Sequence, residues 1–443
     1  MRLSLIEIAA LFARFSRLST ISLFVYAVIS GTIGHGQELP KPASDSDYPS
    51  ASAAKVNLGR LLFYDRILSG NYRVSCAACH SHESASSNGF LLDGEEEPGG
   101  DTLAVNSLPL WENLKPSARH APVLFNLGHS QFTQLFSDGS VADENSTFKS
   151  PAAELPDGLQ DVLAVQSLFP AVTADELVGS VDNDGKAIIH SGNADIWAEL
   201  TARVQDLPEY WSHFRTAYPG LKTPKDISIA DIANAISSFI AFEWRSDDAP
   251  FDRYLKGEAD AMTSEQKRGM KLFYGRAECS TCHSGVFQTD HSYHNTGFPV
   301  WRFDGVLDDE ETSNFDDRLG RFEVTKKAED RYRFRTPSLR NVARTAPYGY
   351  AGSFQTLEET LTYHMAPREG LDAFTATRAG EGLTDENKMR AEALANTAAK
   401  ASPKLSADEL SDLIAFLRAL TDETGLHGRL GKPRDVPSSL ALD

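Results

Sequence analysis

All four cysteines of this 443-residue chain fall in two motifs, Cys76-Ala77-Ala78-Cys79-His80 and Cys279-Ser280-Thr281-Cys282-His283. Two thiols three positions apart can add to the two vinyl groups of one porphyrin. The histidine that follows then lies under the iron as proximal ligand. A zinc site, paired disulfides or a thioredoxin-type couple could also use such pairs, but none of them needs a histidine directly after the second cysteine. The motifs therefore predict two covalently bound c-type haems, anchored by Cys76, Cys79, Cys279 and Cys282, with His80 and His283 on the irons. A haem that only transfers electrons needs both axial positions filled. A catalytic one needs an open position with a proton-handling group above it. Between the motifs, Gln166 and Glu176 offer such a group. Glu176 has a competing reading as a helix-start acid, because Thr173 three residues earlier completes a capping box.

The elements that must hold these residues are partly visible. Gly59-Arg60-Leu61-Leu62-Phe63-Tyr64 is echoed by Gly269-Met270-Lys271-Leu272-Phe273-Tyr274, each just ahead of a haem motif. One repeat about 200 residues apart suggests two related domains rather than a solenoid. Ile229, Ile232, Ile236, Phe239 and Ile240 fall at helical spacing and predict an amphipathic helix over 227–244. Ser246-Asp247-Asp248-Ala249-Pro250 then breaks the pattern. Ser406 with Glu409 predicts a capped helix start. Strand signals are scarce, so the expected class is mainly α, two cytochrome c-like domains with long irregular loops: residues 37–248 and 249–443.

Residues 1–36 read as a signal peptide: Arg2, Arg14 and Arg17, an uncharged run from Leu18 to Ile33, then Gly34 and Gly36. The run is shorter than the roughly 20 residues of a membrane-spanning helix. An uncleaved anchor is the rival reading; export to the periplasm, with no integral span after processing, is the expectation. Lys+Arg 43 against Asp+Glu 62 give a net charge of −19, which argues against nucleic acid as a partner.

Over roughly residues 55–425 the chain resembles the bacterial di-haem cytochrome c peroxidases, which include the methylamine-utilisation di-haem enzymes. The resemblance rests on Leu58-Gly59-Arg60-Leu61-Leu62-Phe63-Tyr64, Arg119-His120-Ala121-Pro122-Val123-Leu124-Phe125-Asn126, Asp138-Gly139 and His294-Asn295-Thr296-Gly297. It continues through Thr336-Pro337-Ser338-Leu339-Arg340-Asn341-Val342, Thr345-Ala346-Pro347-Tyr348 and Gly352-Ser353-Phe354. It implies a peroxide-reacting N-terminal haem and a C-terminal haem that takes electrons from a donor protein, a small cytochrome c or a copper protein. By the same resemblance Glu176 falls on the distal acid/base and Gln166 on its hydrogen-bonding partner. The distal ligand of the C-terminal haem falls on His364, fourteen residues beyond Tyr350, with Met365 and Tyr363 as alternatives. Homodimers are common in the family.

The chain also departs from the pattern. Ser137 stands where many members carry an inter-haem Trp, and Ser140 where an Arg is usual. Nothing selects a substitute relay among Trp111, Trp197, Trp211, Trp244 and Trp301. The family's calcium site uses an Asn where this chain has His120, beside carbonyls matching Thr345 and Pro347, so calcium is not assumed. His82, the only histidine between Ser81 and Lys115, is too near His80 to reach the opposite face, so the first iron is expected open at rest. The resulting expectation is reduction of hydrogen peroxide to water. Long-range oxidation of a partner protein's side chains, or a non-catalytic electron carrier, are the alternatives.

Overall fold

The computed structural model describes residues 38–87, 121–152, 154–178, 192–299, 319–349, 352–377, 390, 393–394 and 403–443. The signal-like segment, Arg119, His120, Trp111, Trp301 and Tyr350 lie outside these residues. The described chain is mostly helical, with one three-stranded and one two-stranded antiparallel sheet of two- and three-residue strands.

The internal repeat marks a helix crossing. Helix α1 (Ala53–Tyr64) precedes the first motif, whose cysteines form the turn α2 (Cys76–Cys79). Three further helices follow, α3 (Val162–Ser167), α4 (Asn193–Gln205) and α5 (Pro208–Ala217), before α6 (Ile229–Glu243) crosses α1. A side chain at Gly59 would overlap the Ala235 carbonyl oxygen and approach Phe239, so only glycine permits this approach. After α7 (Pro250–Leu255), helix α8 (Ser264–Phe273) repeats the arrangement. Gly269 meets the Asp412 carbonyl and Phe416 of the later helix Ala407–Arg418. Phe63 lies 5.3 Å from Phe239, and Phe273 lies 5.1 Å from Phe416. Each aromatic that follows the glycine fills the same corner.

The expected helix over 227–244 forms as Ile229–Glu243, capped by Ser228, which accepts the Asp231 N–H at 3.1 Å. It is not amphipathic. Nearly all its side chains are buried, because α1 covers one face while α3 and α4 cover others. Its polar residues are satisfied internally: Asn234 accepts from Gln160 N at 2.9 Å and donates to Gly158 O at 2.9 Å. The Ser406–Glu409 box forms as expected.

A second repeat emerges from the hydrogen bonds. Ala121-Pro122-Val123-Leu124-Phe125-Asn126 and Thr336-Pro337-Ser338-Leu339-Arg340-Asn341 each end on an asparagine at φ 60°. That left-handed conformation is one asparagine tolerates. Asn126 pairs with both main-chain groups of Ser246, at 2.8 Å each. Asn341 accepts from Asp422 N at 2.8 Å and donates to the Ser246 hydroxyl at 3.1 Å. Ser246, in the break between α6 and α7, therefore joins the two halves.

Among the described residues two large hydrophobic cores result, one built on α1, α3 and α6, the other on α7, α8 and Ala407–Arg418, with a small third cluster of Ala164, Leu168, Trp197 and Ala233. The boundary is not a clean cut in sequence. Leu426 and Val436, beyond the last long helix, pack into the first core.

Candidate haem sites and acid–base groups

The first motif is braced from both sides. Asp65 caps the turn Arg66–Leu68, and the Gly70 N–H donates to Leu177 O at 2.8 Å, docking the segment Ala174–Val178 beside the motif. The His80 ring is held by Nδ1 against the Ser86 carbonyl at 2.8 Å. Ser86 sits at φ 60° and accepts the Leu124 N–H on its hydroxyl at 2.9 Å. The second motif repeats this: His283 Nδ1 meets Gln288 O at 3.1 Å, with Gln288 at φ 51°. Binding Nδ1 to a carbonyl fixes the tautomer that leaves Nε2 bare for a metal. Burial pulls the basicity of both imidazoles down, offset in part by those carbonyls. Neutral rings with one bare nitrogen are what an iron requires.

All four thiols are free. Burial pushes Cys76 and Cys279 up to about 12 and Cys79 to about 11, which does not suit thiolate redox chemistry. Among the described residues the two pairs do not meet as one cluster of metal ligands. The one trio in reach is Cys282, Asp290 and His294, within 4.8 Å of one another. The zinc reading thus finds no four-sulfur site, whereas two separated turns fit one porphyrin each.

Across from His283 stands His364, on helix α9 (Leu357–Met365), with ring centres 6.2 Å apart. Two imidazoles ligating one metal from opposite sides sit about 6 Å apart centre to centre, given metal–nitrogen bonds near 2 Å. His364 stacks on Phe298 at 5.6 Å, and its Nδ1 is buried without a partner. Burial, then the neighbouring His283, lowers it to about 4. Tyr363 turns away, donating to the Gly297 carbonyl while its ring packs on Phe298.

Gln166 lies in the last turn of α3, which Asp161 caps by accepting the Ala164 N–H at 2.7 Å. Its Oε1 is buried and has no partner in the protein. A buried acceptor without a donor is costly, so this oxygen suits a ligand that brings an O–H. Glu176 is exposed, and its charge reaches the first motif, adding to the upward shift of Cys76 and Cys79. The capping box with Thr173 does not form. The Thr173 hydroxyl donates to Phe169 O at 2.9 Å, and Glu176 breaks the helical geometry at φ −120°, ψ −110°.

His82 is fully engaged elsewhere, between the Tyr64 hydroxyl and the Glu243 carboxylate at 2.8 Å each. The Ser137 carbonyl accepts the Arg335 N–H at 2.7 Å across the two halves. Trp197 and Trp244 are core residues. The carbonyls of Ser86 and Gln288 were not foreseen from sequence. Backbone acceptors leave no residue signature, although the second repeat could have marked the segment that braces them.

The profile of the di-haem cytochrome c peroxidases matches residues 53–260. Cytochrome-c peroxidase IdrP1 of Pseudomonas sp. (strain SCT) is 27% identical over 404 residues, covering 86% of this chain and 84% of that protein. Methylamine utilization protein MauG of Methylorubrum extorquens is also 27% identical, over 76% of this chain and 75% of its own. Among solved structures, a MauG-like protein associated with microbial copper homeostasis superposes with a TM-score of 0.54 at 29% identity. It covers 88% of this chain and 95% of that one.

Proposed function

The chain belongs to the di-haem cytochrome c peroxidase family, and from that premise we propose that it reduces hydrogen peroxide to water at the His80 centre. The haem that Cys279, Cys282 and His283 would hold would supply the two electrons, drawn from a donor protein, and two protons would complete two waters. The observation that carries the division of labour is His364 facing His283 at 6.2 Å. His283 and His364 would together hold the second haem, a ligand pair suited to electron transfer.

The haems, when bound, supply the iron and the redox store for cleaving the O–O bond. Cys76 and Cys79 anchor the first of them, and Cys279 and Cys282 the second. His80 and His283 each present a bare Nε2, held in that tautomer by the Ser86 and Gln288 carbonyls. Gln166 Oε1 accepts the peroxide O–H and orients it. The Glu176 carboxylate takes the proton from one peroxide oxygen and returns it to the other, so that water rather than hydroxide leaves. The exposed position of Glu176 lets it exchange that proton with solvent.

The donor is a small soluble cytochrome c or a copper protein. A net charge of −19 favours a basic docking face on it, with a salt-sensitive encounter. A periplasmic setting for the pair is supported by the signal-like character of residues 1–36. No helix among the described residues is long and apolar enough to cross a membrane. Residues 37–248 and 249–443 are taken as the two haem domains.

The test is stopped-flow mixing of ferric protein with peroxide, wild type against Glu176→Gln. Peroxide binding survives in the variant while O–O cleavage slows by about 10²–10⁴-fold. Equal rates would make Glu176 a plain surface carboxylate. Wild type that stays inert until half-reduced would point to a capping ligand, with His120 the first to replace. Peroxide consumption that stalls with reduced cytochrome but proceeds with a protein substrate would favour side-chain oxidation instead.

A further inference from the structure

The two proximal imidazoles sit in matching frames with different surroundings. In the first half, position 125 of the repeated segment is a buried phenylalanine. The equivalent position in the second half is Arg340, whose side chain is 0% exposed. Its Nη2 donates to the Val286 carbonyl at 2.7 Å, and Nη1 donates to the Asp252 carboxylate at 2.8 Å. Asp252, near the start of α7, is itself 1% exposed and accepts the Ala249 N–H at 3.0 Å. One residue earlier, the Leu339 N–H donates to Phe287 O at 3.2 Å.

These contacts tie together two stretches of chain that both face His283. Val286 and Phe287 belong to the turn that ends on Gln288, whose carbonyl holds His283 Nδ1. Arg340 belongs to the segment that carries Pro337, whose backbone also acts to raise the basicity of the same imidazole. With the Val286 and Phe287 carbonyls occupied, the turn cannot rotate without breaking a charged bond.

Stability does not explain the choice of charge. A buried ion pair is no more stabilising than apolar side chains of similar volume, and removing one partner is costly. Phe125 shows that this supersecondary frame closes with an apolar residue. We propose that Arg340, fixed by Asp252, is a positioning residue for His283: through Val286 it holds the turn whose Gln288 carbonyl takes the Nδ1 proton, and thereby sets how strongly the imidazole donates to iron. The inference rests on reading His283 as a haem ligand. A firmly held Nδ1–H raises ligand basicity and favours the oxidised metal; a loosened one raises the reduction potential.

The experiment uses the paired variant Arg340→Phe with Asp252→Ala, which removes both charges and leaves the net charge unchanged. Two quantities are followed in the holoprotein: exchange of the His283 Nδ1 proton by NMR, and the midpoint potential of each haem. Exchange should quicken by roughly three- to tenfold, the worth of one neutral hydrogen bond. The potential of the His283 haem should rise while that of the His80 haem stays put. Two attached haems with exchange and potential as in wild type would overturn the proposal. A wild-type chain lacking haem at Cys279 and Cys282 would instead overturn the reading beneath it. Should the paired variant not fold, Arg340→Lys decides. Its point charge cannot hold Asp252 and Val286 together as a fork does, so it must shift both quantities in the same direction, and no shift refutes the idea.

Discussion

An imidazole that is to ligate iron must be neutral and must have a bare nitrogen, and His364 satisfies both by burial. Its low basicity comes from burial and then from the facing His283, and its Nδ1 is left unpartnered where the ring stacks on Phe298. Replacing it with alanine should open the second centre and turn its low-spin spectrum high-spin, with the His80 haem unchanged. Magnetic circular dichroism of the ferric protein reads the two spin states separately. An unchanged spectrum would move the ligand to Met365, since Tyr363 is committed to Gly297. At this scale the sequence was most legible where chemistry demands a side chain in a fixed register. The two haem motifs are the clearest case, whereas the roles of Gln166 and Glu176 are proposed from the family resemblance. What it did not reveal was geometry set by backbone. The Ser86 and Gln288 carbonyls depend on positive φ angles that no side chain advertises, and the ion pair of Arg340 and Asp252 joins positions 88 residues apart.

Helix α1 and helix α6 approach closely because Gly59 has no side chain to keep them apart, and the later pair does the same at Gly269. Gly59→Ala gains about 1 kcal/mol in helix propensity, but its methyl must displace the Ala235 carbonyl, which is backbone and cannot swing away. Overpacking of this kind costs about 1–3 kcal/mol, and the helices cannot separate without unseating Phe63 from Phe239. Calorimetry of Gly59→Ala and Gly269→Ala should show lowered melting, each with weaker haem retention in its own half. Gly220→Ala, where nothing lies within 4 Å, should stay within about 0.5 kcal/mol of wild type. Three equal traces would mean that the crossings relax freely. The crossing glycine of each helix pair was legible in the repeated hexapeptide. The partner helices were legible as helices but not as copies of one another, because α6 is buried on nearly every side while Ala407–Arg418 keeps a polar face. The same holds for the segments ending on Asn126 and Asn341, where Phe125 and Arg340 hide a shared frame.

At the scale of the whole molecule, the order of the chain and the order of the cores differ, and one buried carboxylate holds them in register. Past Leu426 the chain returns to the first half, where Arg60 binds the carbonyls of Leu430, Gly431 and Lys432 at 2.7–2.9 Å. Glu243, 0% exposed at the end of α6, accepts the N–H groups of Leu430 and Gly431 at 2.8 and 2.7 Å and pairs with His82. Further on, Ser438 bonds Asp65, and Asp443 reaches Arg66 and the Ser75 N–H beside the first haem motif. Burial alone would push Glu243 up, but His82 and the two backbone donors outweigh it and hold the carboxyl below the ordinary glutamate range. A carboxyl depressed in the folded state stabilises above its unfolded value, about 4.3. That contribution is lost as pH falls through the lower folded value. Hydrogen exchange of residues 428–443, corrected for intrinsic rate, should therefore show a docked tail from neutral pH down to about 4 and its release below that. Glu243→Gln cannot accept two amides and a histidine as a charge does, so its tail should exchange about ten- to a hundredfold faster already at pH 7. It should also lose the acid-dependent step. A variant tail as protected as the wild type would assign the docking to Arg60 and Asp65 instead. Because the same tail reaches Ser75 beside Cys76, the first haem should loosen with it on acidification while the second, which the tail does not touch among the described residues, keeps its ligands.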